Sequence, residues 1–231
     1  MRPALRLWDH WAAHRSAVYV ANASVIKKRI ENVYGKKDVP IFFPPHSVDT
    51  TAPVEPIPGL EEFTESDDYF LIVSRLLPYK NVDKAVEACN ELGKKLLVIG
   101  RGPEKEHLEA LAGPTIRIAS GVSDAQLRYA YRHCLALLAI SYEDFGITPL
   151  EAGASGKAVI AYRAGGFLDT IQEGKTGMFI NQPTVEQLVE ALKAFNPDDW
   201  DADYIREHVD GFSEARFISR LKTYVHALPE D

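Results

Sequence analysis

A chain of 231 residues, 46% hydrophobic and 26% charged, has room for one large globular domain with a sizeable core, or an ordinary domain with elements attached. Its net charge of −7 excludes the broad basic footprint of a nucleic-acid binder, though not a local basic pocket for a small anion. No apolar run is long enough to span a bilayer, MRPALRLWDHW lacks the apolar core and cleavage site of a signal peptide, and Cys89 and Cys134 stand in no metal-like spacing and read as small buried hydrophobes, which fits a reduced, cytoplasmic compartment.

The first fifty residues hold a helical start from Pro3 to His14 and the apolar stretch Ala17 to Ala21. Ser24 then opens a second helical pattern, Val25 to Tyr34, that stops at Gly35, and Val39 to Phe43 leads into Pro44-Pro45. One or two strands and two helices are too little for a doubly wound domain. Residues 51–66, rich in proline and acid, read as a loop or linker. From Asp68 the rhythm becomes strand, turn, helix. The expected strands are Tyr69–Leu76, Lys95–Ile99, Thr115–Ala119, Leu135–Ile140, Ala158–Tyr162 and Met178–Ile180. The expected helices between and after them are Val82–Leu92, Pro103–Ala112, Ser123–His133, Pro149–Ser155, a start after Gly165-Gly166, Val185–Phe195, Tyr204–His208 and Glu214–Ala227. Short, continuously apolar strands alternating with helices predict an α/β fold with a doubly wound parallel, Rossmann-like sheet. Such sheets bind ligands at the carboxyl ends of their strands, so the informative residues belong in the loops there.

Four of those loops stand out. Ser74-Arg75-Leu-Leu-Pro-Tyr-Lys80 sets two cations around a proline turn, where they either hold an anion such as a diphosphate or stand as solvated surface charges. Gly100-Arg-Gly-Pro103 allows close backbone approach of an anion at a helix start, or is merely a tight connection. Glu143-Asp-Phe-Gly-Ile-Thr-Pro-Leu-Glu151 places two glutamates with seven residues between them. With Thr148 as the cap and Pro149 as the first helical residue, Glu151 takes the capping-box position, whereas no local device explains Glu143. Ala164-Gly165-Gly166 precedes another helix start. Gly174-Lys-Thr-Gly177 lacks the upstream glycine and the following helix of a phosphate loop, and reads as a turn.

In order, these loops resemble glycosyltransferase family 4, specifically the C-terminal domain of its two-domain GT-B fold. SRLLPYKN, VIGRGP, GVSD, EDFGITPLEA, AGG and GKTG carry the likeness from Tyr69 to Phe195. SRLLPYK and EDFGITPLEA are most similar to the GDP-mannose-dependent mannosyltransferase branch of polysaccharide biosynthesis. RLWDHW, VYVANAS and FFPPHSVD resemble the end of the family's N-terminal domain and its crossover. The likeness therefore implies residues 1–50 as a remnant of the N-terminal domain, 51–66 as linker, 67–211 as the nucleotide-sugar-binding domain and 212–231 as a crossover helix.

The resemblance also implies roles. Arg75 and Lys80 grip the donor diphosphate, Glu143 contacts the transferred sugar and Glu151 bonds the ribose hydroxyls; Glu143, Arg75 and Lys80 are the catalytic candidates. Backbone around Phe145, Gly146, Ile147 and Thr148 holds sugar and phosphate oxygens, and Gly100, Val122 and Asp124 complete the donor site, the last two toward the base. No metal or other cofactor is required, because the two cations and a helix N-terminus offset charge on the leaving diphosphate. The donor implied is GDP-mannose, the acceptor a glycan or lipid-linked sugar, and the reaction retaining. The resemblance adds peripheral membrane association as a family trait of the first domain. Most of that domain, including a histidine near the sugar, has no counterpart among the seven histidines here. The remnant's exposed apolar surface then implies a partner chain or self-association. Two other classes compete with an enzyme: a nucleotide-sugar-binding module without turnover, and an unrelated doubly wound domain in which the glutamates are a cap and a surface acid.

Overall fold

The computed structural model describes residues 3–15 and 18–228. At its centre is a six-stranded, wholly parallel sheet: β1 (Tyr69–Val73), β2 (Lys95–Ile99), β3 (Ile116–Ala119), β4 (Leu137–Ala139), β5 (Val159–Tyr162) and β6 (Gly177–Ile180). Their order across the sheet is 3-2-1-4-5-6, the doubly wound arrangement that the alternating rhythm predicts. The helices are α1 (Pro3–Arg15), α2 (Ser24–Tyr34), the single turn α3 (Glu61–Thr64), α4 (Val82–Leu92), α5 (Lys105–Leu111), α6 (Asp124–His133), α7 (Thr148–Ala154), the single turn α8 (Phe167–Thr170), α9 (Val185–Ala194), α10 (Ala202–Asp210) and α11 (Glu214–His226).

Strands β1, β4, β5 and β6 read as unbroken apolar runs because both faces are covered. Phe70 and Ile72 of β1, Leu96 and Val98 of β2, and Leu138 of β4 join a core with Val86 and Cys89 of α4 and Leu188 and Leu192 of α9. The alternate residues Tyr69, Leu71, Leu97, Leu137, Val159 and Ala161 face the opposite core, with Ala130 and Tyr131 of α6, Ala152 of α7 and Phe167 of α8. The period of two along each strand thus sorts one sequence onto two cores. Both cysteines are free and buried.

Some expectations need correcting. The apolar stretches at 17–21 and 39–43 form no strands; the described part contributes a single parallel bridge, Ala21 to Ile41, and Ala17 lies outside the described residues. Helix α5 begins at Lys105 rather than Pro103, because Gly102 and Pro103 are spent on the preceding turn, where the Glu104 amide donates to Leu76 O at 3.1 Å. The segment 51–66, read as a loop or linker, carries the single turn α3 and packs on the domain. Arg128 donates through Nε and Nη2 to Pro53 O at 3.2 and 3.0 Å, Arg132 to Thr50 O at 3.0 Å, and Ile57 and Thr64 are buried.

The front section and the chain's end pack on each other and on the strand-end loops. Phe43 lies 5.9 Å from Phe145 and 5.6 Å from Phe212, and Phe42 lies 5.2 Å from Tyr224. Ala23, Phe145, Leu150, Ala154 and Val209 make the third, smaller core there. Helix α1 rests on α2, where the Tyr34 hydroxyl donates to Asp9 at 3.1 Å, and turns Leu5, Leu7, Trp8 and Trp11 to solvent.

Candidate functional site

Strand order reverses between β1 and β4. The loop leaving β1 turns toward β2 and the loop leaving β4 toward β5, so the two diverge and leave a crevice. A cleft of about 340 Å³ occupies it, walled by Ser74, Arg75 and Lys80 on one side and Ser141, Glu143, Gly146, Ile147 and Thr148 on the other, with Phe167 at its edge.

The first wall is built by a short 3-10 turn over Pro78–Lys80 that ends at Asn81, whose φ of +56° reverses the chain. The Asn81 side chain donates through Nδ2 to Ile140 O at 2.9 Å and ties this turn to the end of β4. Lys80 is thereby drawn inward. It is 9% exposed, its Nζ lies 5.0 Å from the centre of the Tyr79 ring, and it pairs with Glu143. Arg75 stays exposed and donates to the Tyr79 hydroxyl at 3.3 Å.

The second wall is held from three directions. Ser141 Oγ donates to Glu143 Oε1 at 2.5 Å, the same oxygen that Lys80 engages. The Gly166 amide donates to Glu143 O at 2.9 Å, and a Cβ on Gly165 would stand 2.1 Å from that same carbonyl, so the double glycine serves as the seat of the glutamate loop. Arg29 of α2 pairs with Asp144 at 3.1 Å, while Phe145 is buried in the third core. With the loop fixed this way, the amides of Phe145, Gly146, Ile147 and Thr148 have no acceptor among the described residues. Glu143, with one carboxylate oxygen unengaged, lines the same cleft as Gly146, Ile147 and Thr148, which suits a ligand carrying both hydroxyls and anionic oxygens.

Glu151 is not the acid of a capping box. Helix α7 begins at Thr148 with Ile147 as its cap and no side-chain cap bond, so Glu151 falls one position beyond the box. Its Oε2 instead accepts from the Tyr131 hydroxyl of α6 at 2.7 Å. Burial lifts the Glu151 carboxyl above its ordinary range while the Tyr131 hydrogen bond pulls it down, and burial drives the Tyr131 phenol far above its own.

Of the residues singled out in the sequence, Arg75, Lys80, Glu143, Gly146, Ile147 and Thr148 line the cleft. Gly100, Val122, Asp124, Phe145 and Glu151 lie outside its lining. A Cβ on Gly100 would stand 2.0 Å from Ser74 O, so this glycine lets the β2 loop pack under the β1 loop. Val122 packs on the second core and Asp124 opens α6, both in the stretch that follows β3. Ser141, Phe167 and Tyr131 carry no signature of their own in the sequence: a lone serine at a strand end and two core aromatics acquire partners only through the fold. Among the described residues no group of three or more His, Cys, Asp or Glu side chains is gathered as for a metal, and no helix is long and apolar enough to cross a membrane.

The glycogen synthase of Pseudomonas syringae pv. syringae is 32% identical over 133 residues, 53% of this chain and 27% of that protein. The GDP-mannose-dependent alpha-(1-6)-phosphatidylinositol monomannoside mannosyltransferase of Mycobacterium tuberculosis is 30% identical over 138 residues, 52% of this chain and 36% of that protein. The matched stretch is thus about a third of such relatives or less. Among solved structures, sucrose-phosphate synthase from Thermosynechococcus elongatus superposes with a TM-score of 0.81 at 18% identity, covering 97% of this chain and 62% of that one. A glycosyltransferase from Rickettsia africae does so with a TM-score of 0.79 at 20% identity, covering 100% and 69%. These likenesses share the fold. Residues 56–209, which contain the whole sheet and both walls of the cleft, match the model of glycosyl transferases group 1, and the chain belongs to that family.

Proposed function

We propose that this chain is the donor-binding half of a retaining glycosyltransferase, taking a nucleotide sugar in the switch-point cleft and passing its sugar to a glycan or lipid-linked acceptor. The observation that carries this reading is the Lys80–Glu143 pair, a cation and a carboxylate brought from the ends of β1 and β4 to one inner wall. A nucleotide sugar presents the complementary pattern, a diphosphate next to a polyol. In this reading the diphosphate draws Lys80 and Arg75, and Glu143 turns its free oxygen to the sugar. The amides of Phe145, Gly146 and Ile147, with Thr148, take phosphate and sugar oxygens. Glu151 serves the ribose, while Gly100, Val122 and Asp124 lie toward the base. Cations and amides fixed before the reaction stabilise the departing diphosphate without a metal, since they need no reorganisation as its charge grows.

GDP-mannose is the donor proposed. The SRLLPYK and EDFGITPLEA motifs and the mannosyltransferase among the relatives support it, while the glycogen synthases make the sugar a point for experiment. A second reading, a donor-binding module that needs a partner chain for turnover, is favoured by the apolar side chains that α1 turns to solvent. Calorimetric titration with GDP, UDP and ADP, each with chelator, tests the proposal: GDP binds most tightly and chelator has no effect. Absence of binding by all three overturns it. Transfer from GDP-mannose, assayed with and without candidate partner chains, then separates the enzyme from the module.

A further inference from the structure

Glu151 is a carboxylate without the usual reasons to be where it is. It caps no helix, and among the described residues no cation pairs with it. Holding such a group half-buried costs free energy unless it has work to do. It lies three and four residues beyond Thr148 and Ile147, which line the cleft, and helical side chains lean back toward the N-terminus, so its carboxylate leans toward that lining. One oxygen is already taken by Tyr131, whose ring is 1% exposed in the second core and whose hydroxyl has Glu151 as its partner.

We propose that Tyr131 is the positioning residue for the nucleotide's ribose: by donating to Glu151 Oε2 it fixes the plane of the carboxylate and leaves Oε1 to accept from the two vicinal ribose hydroxyls. This rests on the donor-binding reading above. A phenol suits the task because a buried hydroxyl holds one rotamer and donates a single hydrogen bond without bringing a competing charge. The titratable groups around the pair are few. From α6, Tyr131 faces Glu151; behind it, the Cys134 Sγ contacts Tyr131 O at 3.4 Å, and burial holds that thiol up at about 12. Among the described residues of β4, β5, α8 and α10, no charged side chain bears on the Glu151 carboxyl.

Tyr131→Phe removes the hydroxyl and keeps the volume. With full-length protein, two readouts are taken: the affinity ratio of GDP to 2′,3′-dideoxy-GDP, and the titration of the Glu151 carboxyl followed by 13C NMR without nucleotide. Wild-type protein prefers GDP; in Tyr131→Phe that preference shrinks by about tenfold, and the Glu151 titration moves to higher pH because its one donor is gone. A role in packing alone moves neither. If Tyr131→Phe does not fold, 3-fluorotyrosine placed at 131, a stronger donor, lowers the Glu151 titration and keeps the preference. An unchanged Glu151 titration in the variant overturns the inference, as does an unchanged preference. Wild-type protein that binds GDP and dideoxy-GDP equally also overturns it while leaving the donor reading standing. Wild-type protein that binds no nucleotide sinks the donor reading and the inference together.

Discussion

Lys80 and Glu143, 63 residues apart in the chain, meet as an ion pair on the inner wall of the cleft. The pair has unequal partners: the Lys80 side chain is 9% exposed and that of Glu143 26%. Removing either charge leaves the other poorly solvated. Lys80→Met therefore lowers stability by about 2 kcal/mol, read from urea unfolding, and Lys80→Met with Glu143→Gln together recovers most of the loss. A double variant that loses the sum of the two single losses would show that the two groups do not depend on each other.

Gly165 is the seat of the glutamate loop. Its φ of +61° and the 2.1 Å between a Cβ there and Glu143 O penalise any side chain twice. Gly165→Ala loses about 3 kcal/mol. Gly59→Ala, with φ of +78° but open space around it, loses about 1 kcal/mol from backbone strain alone. Losses of the same size in the two variants would remove the contact with Glu143 from the account.

Asp169 caps α2 from 145 residues away: its carboxylate accepts from the Ser24 amide at 2.8 Å and from the Ser24 hydroxyl at 2.5 Å. Asp169→Ala costs about 1 kcal/mol, as loss of a helix cap does. Hydrogen exchange localises the effect, with faster exchange in the first turn of α2 and unchanged protection in the central strands. Exchange that speeds up evenly along the chain would speak against a local cap.

Cys89 and Cys134 are buried, and burial pushes both thiols up to about 12. A raised thiol pKa means less thiolate, so at pH 8 roughly one thiol in ten thousand is ionised. Native protein resists iodoacetamide at that pH and takes up two equivalents once unfolded. Rapid alkylation of either cysteine in folded protein contradicts the packing described.

The sheet was legible because its signal is local. Runs such as Tyr69–Val73 and Leu96–Ile99 are apolar at every position, as strands covered on both faces require. Arg75, Lys80 and Glu143 were legible for a related reason: strand ends are where such a sheet presents ligand-binding groups. The front section was less so. Val39–Phe43 has the composition of a strand, but among the described residues it finds only the single bridge from Ile41 to Ala21, and Phe43 packs on Phe145 and Phe212. Glu151 was misread as a cap because the helix starts one residue before its proline implies, and its true partner, Tyr131, lies on another helix. Contacts of that kind leave no periodicity in sequence.

The central claim is that the walls after β1 and β4 hold a nucleoside diphosphate. Comparing GDP with guanosine, by calorimetry, on wild-type protein and on the Arg75→Ala, Lys80→Ala double variant, tests it most directly. Wild-type protein is expected to bind GDP more tightly than guanosine, and the double variant, still folded by its thermal transition, to bind the two alike. A difference between GDP and guanosine that survives in the double variant would contradict it.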